Sequence, residues 1–111
     1  MAAIANLTID QGATFTSDVT VKDAQGNAFN LTGYTAVAKL AKGFASTKTR
    51  TNMTTSIATD ATTGVVTLSL TATETSALDA ERYVYDLEIT SGATVTRVIE
   101  GIITVRPQVT V

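Results

Sequence analysis

The sequence predicts an all-β fold: a two-sheet antiparallel β-sandwich with one short helix, in a single domain spanning residues 1–111. Three observations carry this. Apolar residues alternate with polar ones at period two along most of the chain, the pattern of strands with one buried face. Threonine is the commonest residue and Val and Ile are frequent, and such stiff β-branched side chains suit a pleated surface better than a helix. Turn residues recur at short intervals, giving seven or eight strands, which favours a sandwich over a small closed barrel.

In chain order, Leu7 and Ile9 open a short strand closed by Gln11-Gly12. Phe15, Val19 and Val21 then face one way, against Thr14, Thr16, Asp18, Thr20 and Lys22. A turn at residues 23–27 leads to Phe29 and Leu31, then to a second break at Thr32-Gly33. Tyr34, Ala36, Ala38 and Leu40 form the next inward face, with Thr35 and Lys39 opposite. After a polar stretch at residues 41–52, Met53, Thr55 and Ile57 read as a strand. Residues 60–64 (Asp-Ala-Thr-Thr-Gly) form a turn, because Asx and Ser/Thr side chains bond nearby backbone and glycine accepts positive φ.

Val66, Leu68 and Leu70 face inward ahead of the helix. Thr71-Ala72-Thr73-Glu74 has capping-box spacing, and Ala72, Thr75 and Leu78 fall on one face of about two turns. Tyr83, Tyr85, Leu87 and Ile89 make the cleanest strand, with Asp86, Glu88 and Thr90 opposite. Ser91-Gly92 turns the chain into a long last strand from Val95 to Val105, with Gly101 marking an expected bulge and Pro107 ending the ladder.

Composition narrows the chemistry. The chain has 111 residues, no His and no Cys, which excludes Ser-His-Asp and Cys-His catalysis, imidazole and thiolate metal sites, and disulfides. Asp86 and Glu88 share a face that Glu100 is expected to border, but a solvated outer face explains them better than a glycosidase pair. Residues 23–27 lack the alternating carboxylates and terminal Glu of an EF-hand. No enzymatic activity, cofactor or metal is expected.

A net charge of −2 gives no bulk attraction to nucleic acid or to a membrane surface. No basic leader precedes an apolar run, and no stretch approaches the ~20 apolar residues of a membrane helix. A soluble protein made in a cytoplasm is expected. Carbohydrate binding would need exposed aromatics, and the tyrosines read as core.

One charge feature stands out. Lys39, Lys42, Lys48 and Arg50 are half of the 8 basic residues, and no Asp or Glu lies between Asp23 and Asp60. Lys42, Lys48 and Arg50 are therefore candidate contacts to an acidic neighbour, with a solvated loop as the alternative. Only Phe44 in this segment has a ring to stack on a base, and four charges make a small phosphate footprint, so nucleic acid is not expected. The termini are further candidates: residues 1–6 are apolar, and Gln108-Val109-Thr110-Val111 continues a β-like pattern past Pro107. Ile4, Val109 and Val111 are the residues expected to reach a neighbour.

Four segments carry a resemblance. Asn30-Leu31-Thr32-Gly33-Tyr34-Thr35-Ala36 resembles an LTGY signature found in small virion structural proteins of tailed phages. Gly64-Val65-Val66-Thr67-Leu68-Ser69-Leu70-Thr71 resembles the strand before the short helix in that family. Residues 80–89 (AERYVYDLEI) and 96–101 (TRVIEG) complete the pattern, which covers roughly Leu7 to Pro107. The match is closest to the marine and cyanobacterial phage type, and looser to the N-terminal sandwich of baseplate upper proteins, which continue into further domains. The resemblance implies an immunoglobulin-like or baseplate-protein-like sandwich and a non-enzymatic tail, baseplate or neck component. It implies other virion proteins or further copies of itself as partners, and the virion as its location. A capsid decoration protein is the alternative.

Overall fold

The computed structural model describes residues 3–45 and 47–110. The chain forms β1 (Ala3–Ile4), β2 (Leu7–Asp10), β3 (Phe15–Thr20), β4 (Thr35–Ala41), β5 (Thr51–Ile57) and β6 (Val65–Leu70). The helix α1 (Ala72–Ser76) follows, then β7 (Arg82–Ser91) and β8 (Thr94–Arg106). The strands run in the order β1-β8-β7-β4-β5-β6-β3, with β2 also on β8.

The all-β sandwich is what the alternation predicts. It is built by curling one sheet into two layers, and β5 makes the fold. Its first residues pair with β4 (Leu40 with Thr51, Ala38 with Met53), and its last four pair with β6 (Thr54 with Ser69, Ile57 with Val66). Where β5 leaves β4, the Thr55 hydroxyl donates to the Ala36 carbonyl at 2.8 Å and satisfies an acceptor that the ladder abandons. One layer is thus β1/β2-β8-β7-β4, and the other is β6-β3. Among the described residues β3 pairs only with β6, so the sheet stays open and no barrel closes.

The layers enclose one apolar core. Leu68, Leu70, Tyr83, Tyr85, Leu87 and Ile89 are all buried, as their parity predicts, with Ile9, Leu31, Leu40 and Ile103. Leu31 and its neighbour Phe29 reach the core without a strand. Only an isolated bridge, Lys22 to Ala28, forms there, and Leu31 N–H donates to the Ala61 carbonyl.

Local signals account for the connections. The Thr71 N–H donates to Glu74 Oε1 at 2.8 Å and Glu74 N–H donates to Thr71 Oγ1 at 3.2 Å, completing the capping box. Thr75 is fully buried and Leu78 nearly so, on the face the spacing gives. In the 60–64 turn, Asp60 Oδ1 accepts from Thr62 N–H and Gly64 takes φ 71°. The Thr62 hydrogen bonds hold the Asp60 carboxyl below its ordinary pKa. The last strand ends at Arg106, directly before Pro107.

Two expectations need correction. The sandwich is not wholly antiparallel: β1 and β2 run parallel to β8, Ala3 beside Ile99 and Leu7 beside Ile103. The first and last segments of the chain traverse the same layer in one direction, so they can only pair parallel. The bulge is not at Gly101 but at Val98, since Leu87 opposes Ile99 while Glu88 opposes Arg97. The extra residue turns Val95 outward and keeps Ile99, Ile103 and Val105 inward. Gly101 serves a different need: a Cβ there would lie 2.3 Å from the Ala5 carbonyl oxygen, so its bare backbone lets the N-terminal segment dock.

Candidate interaction surfaces

The residues singled out from sequence fall in three places. Lys42, just past β4, forms an ion pair with Asp79, and Glu81 lies 3.4 Å away. The hydrogen bond to Asp79 is the largest cause raising its pKa, so its charge is met within the chain. Arg50 turns back onto its own loop. Its guanidinium donates to the carbonyls of Ala45 and Lys48 at 2.9 Å and of Phe44 at 3.1 Å. Lys48 is exposed. The basic loop is therefore not three cations aimed at solvent: an acidic neighbour would have to compete with Asp79 and Glu81 for Lys42 and with three carbonyls for Arg50.

The N-terminal segment is held by its own chain rather than reaching out as an arm. Ala5 N–H donates to the Glu100 carbonyl at 3.0 Å, Ile102 N–H donates to Asn6 Oδ1 at 3.0 Å, and the Tyr85 hydroxyl donates to the Ala5 carbonyl at 2.5 Å. Burial pushes the Tyr85 phenol up to about 12. The Ile4 side chain points away from the core and is 74 % exposed. Val109 is 96 % exposed beyond β8. Val111 lies outside the described residues.

The outer face of the β1-β8-β7-β4 layer holds what sequence reasoning missed. Cross-strand rows run Val37-Glu88-Arg97, Lys39-Asp86-Glu100-Ile4 and Ala41-Val84-Ile102. Glu100 lies directly opposite Asp86, as the sequence suggests. Arg97 binds this pair, 3.3 Å from Asp86 and 3.7 Å from Glu100, so the carboxylates form a surface ion network on a strand face. Among the described residues no group of three or more acidic side chains is placed to hold a metal ion.

Beside these charges the face is apolar. Val37, Ile102, Val95 and Ile4 are exposed on it, and Phe44 stands over it at 75 % exposure. A shallow hollow of ≈ 410 Å³ is lined by Ile4, Phe44, Val84 and Ile102, and a second of ≈ 310 Å³ by Val37, Phe44, Val84 and the Asp86-Glu88 edge. Phe44 and Val84 line both. The three carbonyl bonds from Arg50 fix the loop that carries it, so the ring is presented on a braced support. The signal for this face is present in the sequence: Val37, Val84 and Ile102 occupy polar-parity positions on three adjacent strands. Phe44 gives no such signal, because an aromatic residue in a polar loop reads equally well as core.

Strand pairing and surface together define the class as a β-sandwich domain. The chain is similar to the filamin domain of Lin-41, with 15% identity over 89% of this chain and 82% of that one and a TM-score of 0.47. It is also similar to the BTLA ectodomain, with 12% identity over 94% of this chain and 90% of that one and a TM-score of 0.49. No protein-family model and no curated protein matches the chain.

Proposed function

We propose that the chain is a non-enzymatic structural subunit of a tailed-phage particle, a tail, baseplate or neck component that works through protein–protein contacts. The observation that carries this reading is the order and spacing of the four segments 30–36, 64–71, 80–89 and 96–101, which together resemble the small virion proteins. Those segments are also the frame of the sandwich. They supply β6, most of β7, the entry to β4 and the middle of β8. The lack of His and Cys agrees with a role that needs no nucleophile or metal. The apolar outer face, and the edge of β3 that pairs with no strand among the described residues, are features that assemblies use for packing and strand addition.

Electron microscopy of particles with a labelled antibody against the chain tests the reading. Label at the tail, baseplate or neck is expected. Label on the capsid shell would favour a decoration protein instead, and particles free of label would refute both placements.

A further inference from the structure

From the outer face of the β1-β8-β7-β4 layer we infer a homotypic interface: two copies of this chain pack face to face about a two-fold axis, with Phe44 at its centre. This deepens the structural-subunit reading by naming the first partner as a second copy.

Exposure, a braced anchor, charge pattern, shape and size point to it. Among the described residues six large apolar side chains are exposed, and five of them, Ile4, Val37, Phe44, Val95 and Ile102, project from this face. Isolated exposed apolar residues need no explanation, but a concentration on one face marks a contact. Phe44 is both prominent and braced by Arg50, which are the properties of an anchor residue. The Arg50 bond to the Phe44 carbonyl braces the backbone that carries the ring, which lowers the ordering cost on binding, and aromatic anchors dominate interface energetics.

The charges argue for a second copy rather than a strongly acidic or basic partner. Asp86, Glu88 and Glu100 share the face with Lys39 and Arg97, and Arg50 lines its hollow. Both signs are thus interleaved in near-equal number. Turned by a two-fold, a face that carries both signs sets a cation of one copy against a carboxylate of the other where their positions match, and each such contact then occurs twice. Phe44 lines both hollows, so the ring of one copy has a hollow to enter beside the ring of the other. Size permits this: the molecule measures 42 × 30 × 23 Å, and the broad side of a two-layer sandwich exceeds the roughly 800 Å² each partner contributes to a standard interface.

Sedimentation velocity of the purified full chain, from low micromolar to millimolar concentration, tests the inference. The wild type is expected to shift from monomer to dimer. Phe44→Asp and, separately, Val37→Lys should weaken association by roughly 30-fold or more, the effect of losing an aromatic or central apolar contact. Both positions are exposed, so the melting temperature should stay near wild type; if one variant fails to fold, the other decides. Val109→Asp, on the exposed C-terminal segment, should associate like the wild type. A wild type that is monomeric throughout overturns the inference, as does a dimer that neither Phe44→Asp nor Val37→Lys weakens. A dimer absent from purified particles would refute the structural-subunit reading and leave the interface standing. A monomer present in particles would do the reverse.

Discussion

Replacing Thr75 with Val probes how a helix of five residues stays in place. Such a helix is far below the length that is stable alone, so its position depends on docking. Thr75 is the one buried polar residue among those described, and its hydroxyl works in both directions. It accepts from Gly12 N–H at 3.0 Å and donates to the Ala13 carbonyl at 2.9 Å, joining α1 to the turn between β2 and β3 across more than sixty residues of sequence. Gln11 Nε2 adds a bond to the Leu78 carbonyl at 2.8 Å. Valine has nearly the shape of threonine, so Thr75→Val opens no cavity. It leaves Gly12 N–H against a methyl group, which costs about 1–3 kcal/mol for an unsatisfied partly buried donor. With a urea m-value of about 1–3 kcal/mol/M, the midpoint should fall by about 1 M. Amide exchange at Gly12 should accelerate in Thr75→Val and stay protected in Thr75→Ser, which keeps the hydroxyl. A Val variant with a wild-type midpoint and a protected Gly12 amide would refute the docking argument.

Other perturbations address the core, the N-terminal segment and pH. Leu87 is fully buried at the centre of β7 between Ala38 and Ile99, so Leu87→Ala should cost about 2–5 kcal/mol in a denaturant titration, and an unchanged midpoint would show the parity to be wrong. Gly101→Ala places a methyl on the Ala5 carbonyl and should release residues 3–6, read as faster amide exchange at Ala5 and Ile102 with the β6 amides still protected. Burial raises the Tyr85 phenol from 10.0 to about 12, and that of Tyr83 in the same direction, so the folded state holds these protons where the unfolded chain releases them. Stability should therefore be constant in this respect below pH 10 and fall as pH rises from 10 to about 12. Tyr85→Phe should flatten that alkaline loss, and an equally steep loss in the variant would assign it elsewhere.

What the sequence made legible was local. The burial of Tyr83, Tyr85, Leu87 and Ile89 follows from their alternation, and the capping box of Thr71 and Glu74 from a four-residue spacing. The 60–64 turn follows from its Asp and Gly. Long-range pairing had no such signal. Nothing near Ala3 or Leu7 announces a parallel partner at the far end of the sequence, Ile99 and Ile103, and the role of Gly101 appears only once Ala5 lies against it. The bulge at Val98 was displaced to Gly101 because glycine is the visible marker, whereas the extra residue that resets parity carries an ordinary side chain. At the surface, charge drew attention to Lys42 and Arg50, yet both are engaged inside the chain. Phe44 is prominent because Arg50 braces its loop, a relation set by carbonyl positions that residue types do not encode.

Membership of the particle is the proposal on which the functional account stands, and quantitative mass spectrometry of tailed-phage particles purified from a lysate that contains the chain tests it most directly. The account predicts the chain at a fixed, multi-copy ratio to the known tail proteins, retained through density-gradient purification. Its absence from such particles, while it is abundant in the infected-cell lysate, would contradict the account.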